Sequence, residues 1–343
     1  MNKRIFQYDL MRFSFMLMVL AVHVVSAVGV YATPYNTTWT VSTILKNFFM
    51  VANPLFFMLS GKFSLGKSFE NKNDYAKYYK NKLITIIVPF IIISFIVYLP
   101  KFIGEYSLLA FIKKLITGKI QGTFWFVYTI LGIFIISPFY SKMIQNMNHF
   151  EKKLMLIVLF VANMYITTLR AVGIKGGLEL AHVSMASWHF YYIAGYLIEE
   201  IFATKKSRNI LCFTAVSGFV VHFLLQVFFN GTQYRLYDPC ALLTIESFGV
   251  YFFLLDHFKI KNERISKIIS FVSSYSFIFY LLHMDVLYKI LPFFNLQQSS
   301  LHNICYAILI YGIVFAVTFL LSFVIKKLLL DTLCKWLKRL FSC

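Results

Sequence analysis

The sequence predicts an all-α polytopic membrane bundle of about ten transmembrane helices, and three observations lead there. The chain of 343 residues is 59% hydrophobic with only 14% charged, and its mean hydropathy is +0.71. A soluble domain is about half apolar and about a quarter charged. The apolar surplus is not scattered but falls into long runs, each close to the ~20 residues that cross a bilayer core of about 30 Å. The basic residues collect in the short segments between those runs. The excess charge of +19 is therefore read as positive-inside bias, which argues against a nucleic-acid partner because no soluble face concentrates it.

Expected spans cover 8–31, 42–61, 83–103, 123–141, 153–172, 186–203, 209–229, 240–256, 267–290 and 303–330. The first apolar run is too long for a cleavable signal and lacks a small-residue cleavage site, so it is retained as a helix. Ten spans place both ends on one side. Twenty-three lysines and arginines fall on that side, from Lys3 and Arg4 through Lys62–Lys82 to the tail with Lys338 and Arg339; nine fall on the other. The bias predicts cytoplasmic termini, and the cell (plasma) membrane is the expected location. The whole of 1–343 reads as one integral membrane domain, with membrane lipid around it and no soluble domain appended. Leu108–Ile120 pairs an apolar face with Lys113 and Lys114, as suits a short helix lying on the outer leaflet. Thr33–Thr38 is a loop by its Pro and Asn content. Five cysteines without a C-x-x-C pair suggest neither a disulfide framework nor a metal site.

The first span carries the chemistry. Asp9, Arg12 and His23 interrupt its apolar background. At 100° per residue, Arg12 and His23 fall within about 20° of each other and about 16 Å apart along the axis, with Asp9 about 60° from Arg12. Charged groups at that depth cost a few kcal/mol and usually face a polar interior. His23 either satisfies a neighbouring carbonyl or takes a proton from a hydroxyl; its two ionisable companions on one stripe favour the second. Arg12 stays charged and needs Asp9 or an anion.

Further along, Lys77, Lys80 and Lys82 lie in what reads as a cytoplasmic loop, either as a positive-inside anchor or as partners for phosphates. Pro54 in Asn53–Gly61 breaks the second span and leaves Ser60-Gly61 at its end. Trp125 heads an aromatic run of the interfacial type. His283 and Asp285 sit at the end of the ninth span, more polar than lipid allows, and Glu246 and His222 are lesser candidates.

Five stretches now stand in order: Asp9-x-x-Arg12 with His23 eleven residues on, Pro54 to Gly61, the basic segment running to Pro89, Trp125-Phe126 with Ser137-Pro138, and Ser276 to His283. Together they resemble the acyltransferase-3 family of membrane O-acyltransferases, the group that includes bacterial polysaccharide and peptidoglycan O-acetyltransferases. The resemblance implies transfer of an acyl group, acetyl by expectation, from cytoplasmic acyl-coenzyme A to a hydroxyl of a cell-envelope glycan or its lipid-linked precursor. It implies that Arg12 and His23 carry the reaction, with Asp9 fixing Arg12. Donor contacts then fall to Lys77, Lys80 and Lys82, because Leu83–Val88 lacks the second cation many members place there. Ser60, Trp125, His283 and Asp285 are further substrate-side candidates. A thioester is already activated, so neither a metal nor a bound cofactor is expected. A transporter or flippase for a glycan intermediate is the competing reading of the same polar stripe; a receptor or scaffold would leave the stripe without purpose.

Overall fold

The computed structural model describes residues 5–104, 107–171, 174, 187–228 and 240–340, and among them helix is the regular structure throughout. Lys3, Arg4, Lys175, Arg235 and Cys343, with the Arg170 side chain, lie outside the described residues. Among the described residues, seven helical stretches are long and apolar enough to cross a membrane: Phe6–Gly29, Thr37–Ser64, Lys72–Lys101, Gly122–Gln145, Lys205–Phe228, Ser276–Phe293 and His302–Leu340. The other three expected spans coincide with helices α8 (His149–Ala171), α9 (Ser187–Ile201) and α11 (Ala241–Phe252). The last two are short for a bilayer. In α9, Phe190 to Ala194, Leu197 and Ile198 are all fully buried, so protein rather than lipid surrounds it.

Helix α1 (Phe6–Gly29) is central. It packs on α2 (Thr37–Phe49), α3 (Ala52–Ser64), α12 (Glu263–Ser273), α13 (Ser276–Ile290) and α14 (His302–Ile325). Leu10, Met11, Phe15, Leu20 and Val24 are almost completely buried in these contacts. Inside a bilayer such packing rests on dispersion and close backbone approach rather than on exclusion of water. The tightest example is the crossing of α3 with α9. A Cβ added at Gly61 would stand 1.7 Å from the Tyr192 carbonyl oxygen, and one at Gly195 would stand 1.9 Å from that of Met58. Gly61, read from sequence as part of a family stretch, is thus the residue that lets two helices touch.

The second span breaks as Pro54 suggests. Helix α2 ends at Phe49 and α3 begins at Ala52, which puts Pro54 in the first turn, where a missing N–H costs no helical bond. A clear departure from the sequence reading comes next. The lysine-rich segment before Pro89 is helix, not loop: α4 (Lys72–Lys82) runs through a π-helical turn, Leu83–Ile87, into α5 (Val88–Lys101). A capping box starts it, with Asn71 accepting from the Asn73 and Asp74 amides and Asp74 returning to the Asn71 amide.

The amphipathic segment forms α6 (Leu108–Ile116), capped by Ser107, with Phe111 buried and Leu108 and Leu109 exposed. Trp125 opens α7 (Trp125–Gln145), and α10 (Lys205–Phe228) packs along α11. The expected ninth span is interrupted at Ser274 and Tyr275, where α12 gives way to α13. The last span continues through a further π turn, Lys326–Leu330, into α15 (Asp331–Leu340). No disulfide forms among the described cysteines.

Candidate functional site

On α1, the three-residue spacing brings Asp9 and Arg12 together. Arg12 Nη1 lies 3.1 Å from Asp9 Oδ1, and Ser270 Oγ of α12 donates to Asp9 Oδ2 at 2.9 Å. Asp9 is 2% exposed, so its charge is compensated by the guanidinium and its second oxygen by a hydroxyl. The Arg12 side chain is 31% exposed and its guanidinium carbon stands 5.8 Å from the centre of the Phe63 ring. A fixed acid thus holds a cation that still reaches open space.

That space is a cavity of about 440 Å³, lined by Arg12 and, among others, by Ser60, Thr85, Phe126, Ser276 and Tyr280. Its hydroxyls come from α3 (Ser60), the π turn (Thr85), α12 (Ser273) and α13 (Ser276 and Tyr280), with Ser274 between the last two helices. Thr85 belongs to the π turn of Leu83–Ile87, and π turns occur often at functional sites because the extra residue re-aims its neighbours. Two other cavities, about 490 and 640 Å³, are lined mainly by apolar side chains and carry no charged group, so they offer no counterpart to Arg12.

Among the three lysines singled out from sequence, Lys82 reaches the wall of this cavity. Its Nζ lies 3.3 Å from the centre of the Phe134 ring, and Phe134 lines the cavity. Lys82 also flanks the buried Tyr78 ring at 5.4 Å, with Lys67 on the same ring at 5.2 Å. Lys77 and Lys80 are exposed on α4. Lys67 was missed from sequence, since nothing in the linear order says that it shares a ring with Lys82.

His23 does not line the Arg12 cavity. It is half-buried on α1, with its ring centre 5.1 Å from that of His283 on α13. His283 is fully buried, and its Nδ1 lies 2.5 Å from the Tyr280 carbonyl oxygen. Tyr280 joins the two places. Its ring lines the cavity, stands 5.5 Å from the His283 ring and 5.2 Å from Phe126, and its hydroxyl donates to the Thr123 carbonyl at 2.5 Å. The stripe of α1 is therefore divided: Arg12 lines the cavity, while His23 stands outside its lining and packs against His283, which in turn lies beside the Tyr280 ring.

The remaining candidates sit apart. Trp125 is 38% exposed and packs 5.0 Å from Trp188. Asp285 pairs with Lys101 at 2.9 Å, and Lys101 also donates to Gln121 Oε1 at 2.8 Å. His222 and Glu246 turn out to be partners, Nδ1 to Oε1 at 2.8 Å, joining α10 to α11 with both side chains fully buried. Sequence reasoning missed Glu199 of α9, which accepts from Tyr8 and Tyr251 and pairs with Lys62. It also missed the Ser137–Tyr192 contact at 2.6 Å that explains Ser137. Among the described residues no group of three His, Cys, Asp or Glu is arranged to hold a metal ion.

A family model described as an acyltransferase domain matches residues 5–325, which takes in every element of the site. No curated protein and no solved structure matches the chain.

Proposed function

The chain belongs to the acyltransferase-3 family, and from that premise we propose that it is a membrane O-acyltransferase. It moves an acyl group, acetyl in the simplest case, from cytosolic acyl-coenzyme A to a hydroxyl of a cell-envelope glycan or its lipid-linked precursor. The observation that carries the reading is that a cavity lined by an acid-fixed arginine shares one wall, Tyr280, with a pair of histidines.

In this reading both termini are cytoplasmic, in the cell membrane, and the donor arrives at the end of the bundle that carries Arg12 and Lys82. Phosphates of the coenzyme meet Lys82, Lys80 and Lys77, and its pantetheine arm enters the cavity beside Ser60 and Thr85. His23 takes the proton from the acceptor hydroxyl. The acceptor oxygen bonds to the thioester carbonyl carbon, charge develops on the carbonyl oxygen, and the carbon–sulfur bond breaks. The thiolate leaves with the proton that His23 collected, which returns the histidine to its neutral form. Arg12 orients the donor and balances its negative charge while Asp9 fixes Arg12. The acceptor side falls to Trp125 and Asp285, with His283 behind His23. Positioning alone supplies much of the acceleration, because the thioester needs no further activation.

Purified protein in lipid nanodiscs, given radiolabelled acetyl-coenzyme A and a lipid-linked glycan, is expected to release free thiol and label the glycan. His23→Ala is expected to abolish labelling while the variant still elutes as a folded particle. Undiminished labelling in that variant would remove His23 from the chemistry.

A further inference from the structure

His283 is buried completely, yet half of its imidazole has no protein partner. Nδ1 faces the Tyr280 carbonyl oxygen at 2.5 Å. A carbonyl can only accept, so Nδ1 carries the ring hydrogen, and in the neutral ring Nε2 carries a bare lone pair. Nε2 finds no hydrogen-bond donor. Three aromatic rings approach His283: Phe279 at 6.4 Å, Tyr280 at 5.5 Å and His23 at 5.1 Å. Phe279 has no polar hydrogen, and the Tyr280 hydroxyl is committed to the Thr123 carbonyl. Of these three rings, His23 is the one that offers an N–H.

We propose that His283 is a positioning residue for His23, accepting the His23 N–H on Nε2 and so fixing which nitrogen of His23 faces the acceptor hydroxyl. The proposal rests on the transferase reading and adds a member to it: Tyr280 carbonyl, His283, His23, acceptor hydroxyl. A neutral histidine has one N–H and one lone pair; with the N–H held by His283, the lone pair points outward to collect the proton. The logic is that of a carboxylate holding the histidine of a hydrolase triad, carried here by an uncharged acceptor suited to an apolar setting. When His23 takes the hydroxyl proton, His283 Nε2 accepts from the imidazolium, and the charge is shared over two rings until the thiolate removes the proton. The ring centres, 5.1 Å apart, stand at the spacing that an in-line N–H···N bond between two imidazoles needs, so rotation of the rings suffices to align it, as is common for catalytic hydrogen bonds that tighten only with substrate bound.

Two substitutions separate positioning from packing. His283→Asn keeps an N–H where Nδ1 stands, retaining the Tyr280 contact and removing the Nε2 acceptor. His283→Gln places an amide oxygen near Nε2 and restores the acceptor without a titratable ring. With acetyl-coenzyme A and the glycan acceptor, His283→Asn is expected to lower kcat by about 100-fold or more, with the KM for donor unchanged, and His283→Gln to stay within about tenfold of the parent protein. Full activity in His283→Asn would overturn the proposal, as would equal loss in both variants. A second readout needs no reaction. In protein labelled with ¹⁵N-histidine, two-bond proton–nitrogen spectra are expected to show His23 as a single tautomer in the parent and in His283→Gln, and as a mixture in His283→Asn. A His23 tautomer indifferent to His283→Asn would overturn the proposal even if transfer were found. Absence of all transfer by the parent protein would instead sink the transferase reading, leaving the spectra to decide the histidine pair.

Discussion

Replacing Asp9 by asparagine removes one charge and almost no volume, and its consequence can be worked from the geometry. The carboxylate and guanidinium stand 3.1 Å apart. At an effective dielectric of about 20, unit charges at that separation attract by about 5 kcal/mol. Desolvation of the buried carboxylate offsets part of this, and the 31% exposure of Arg12 admits screening. Asparagine also keeps an oxygen that can accept from Arg12 and Ser270. What remains is about 1–3 kcal/mol, equivalent to about a 5- to 150-fold fall in kcat/KM for the acyl donor if Asp9 acts by fixing Arg12. The assay is steady-state transfer from acetyl-coenzyme A by Asp9→Asn, Arg12→Gln and the double variant. Because the two groups share one interaction, the double variant is expected to be no worse than Arg12→Gln alone. Full additivity of the two losses would refute the idea that Asp9 works through Arg12.

Three further outcomes follow from the structure. Gly61→Ala forces a Cβ to within 1.7 Å of a backbone oxygen of α9, so a loss of about 3 kcal/mol or more is expected, read as a lowered melting temperature of the purified protein; an unchanged melting temperature would mean the two helices are not in that contact. Glu246→Ala removes the carboxylate that His222 Nδ1 faces and is expected to cost about 1–3 kcal/mol, while turnover per folded molecule stays at the parent level because the pair lies outside the site. Lys82→Ala is expected to raise the KM for acyl-coenzyme A about threefold to tenfold with kcat unchanged, as loss of uniform binding requires. The same change at Lys77, exposed earlier on α4, should have a smaller effect, and equal effects would place the phosphates elsewhere.

Local rules carried much of the architecture. Apolar run length foretold most of the long helices, and the three- and eleven-residue spacings on α1 foretold that Asp9, Arg12 and His23 share a stripe. Pro54 foretold the break between α2 and α3. The capping box Asn71-x-x-Asp74 was also legible, and reading it would have turned the lysine loop into the helix it is. Other features are set by long-range contact. That Arg12 lines the cavity while His23 does not depends on how α13 packs on α1, which no spacing on α1 reveals. The same holds for His283: its position at a span end marked it as unusual, but its partnership with His23 exists only because α13 packs on α1. Lys67 joins Lys82 through Tyr78, and His222 joins Glu246 through the packing of α10 on α11. Periodicity cannot pair residues on separate helices, so these groupings needed three dimensions.

A structure determined with a non-hydrolysable acyl-coenzyme A analogue tests the central claim most directly. The expected result is the pantetheine arm lying in the Arg12 cavity, with the acyl carbon passing Tyr280 to come within contact distance of His23. An analogue bound on another face, or a His23 ring turned into lipid while the donor site is filled, would contradict the account.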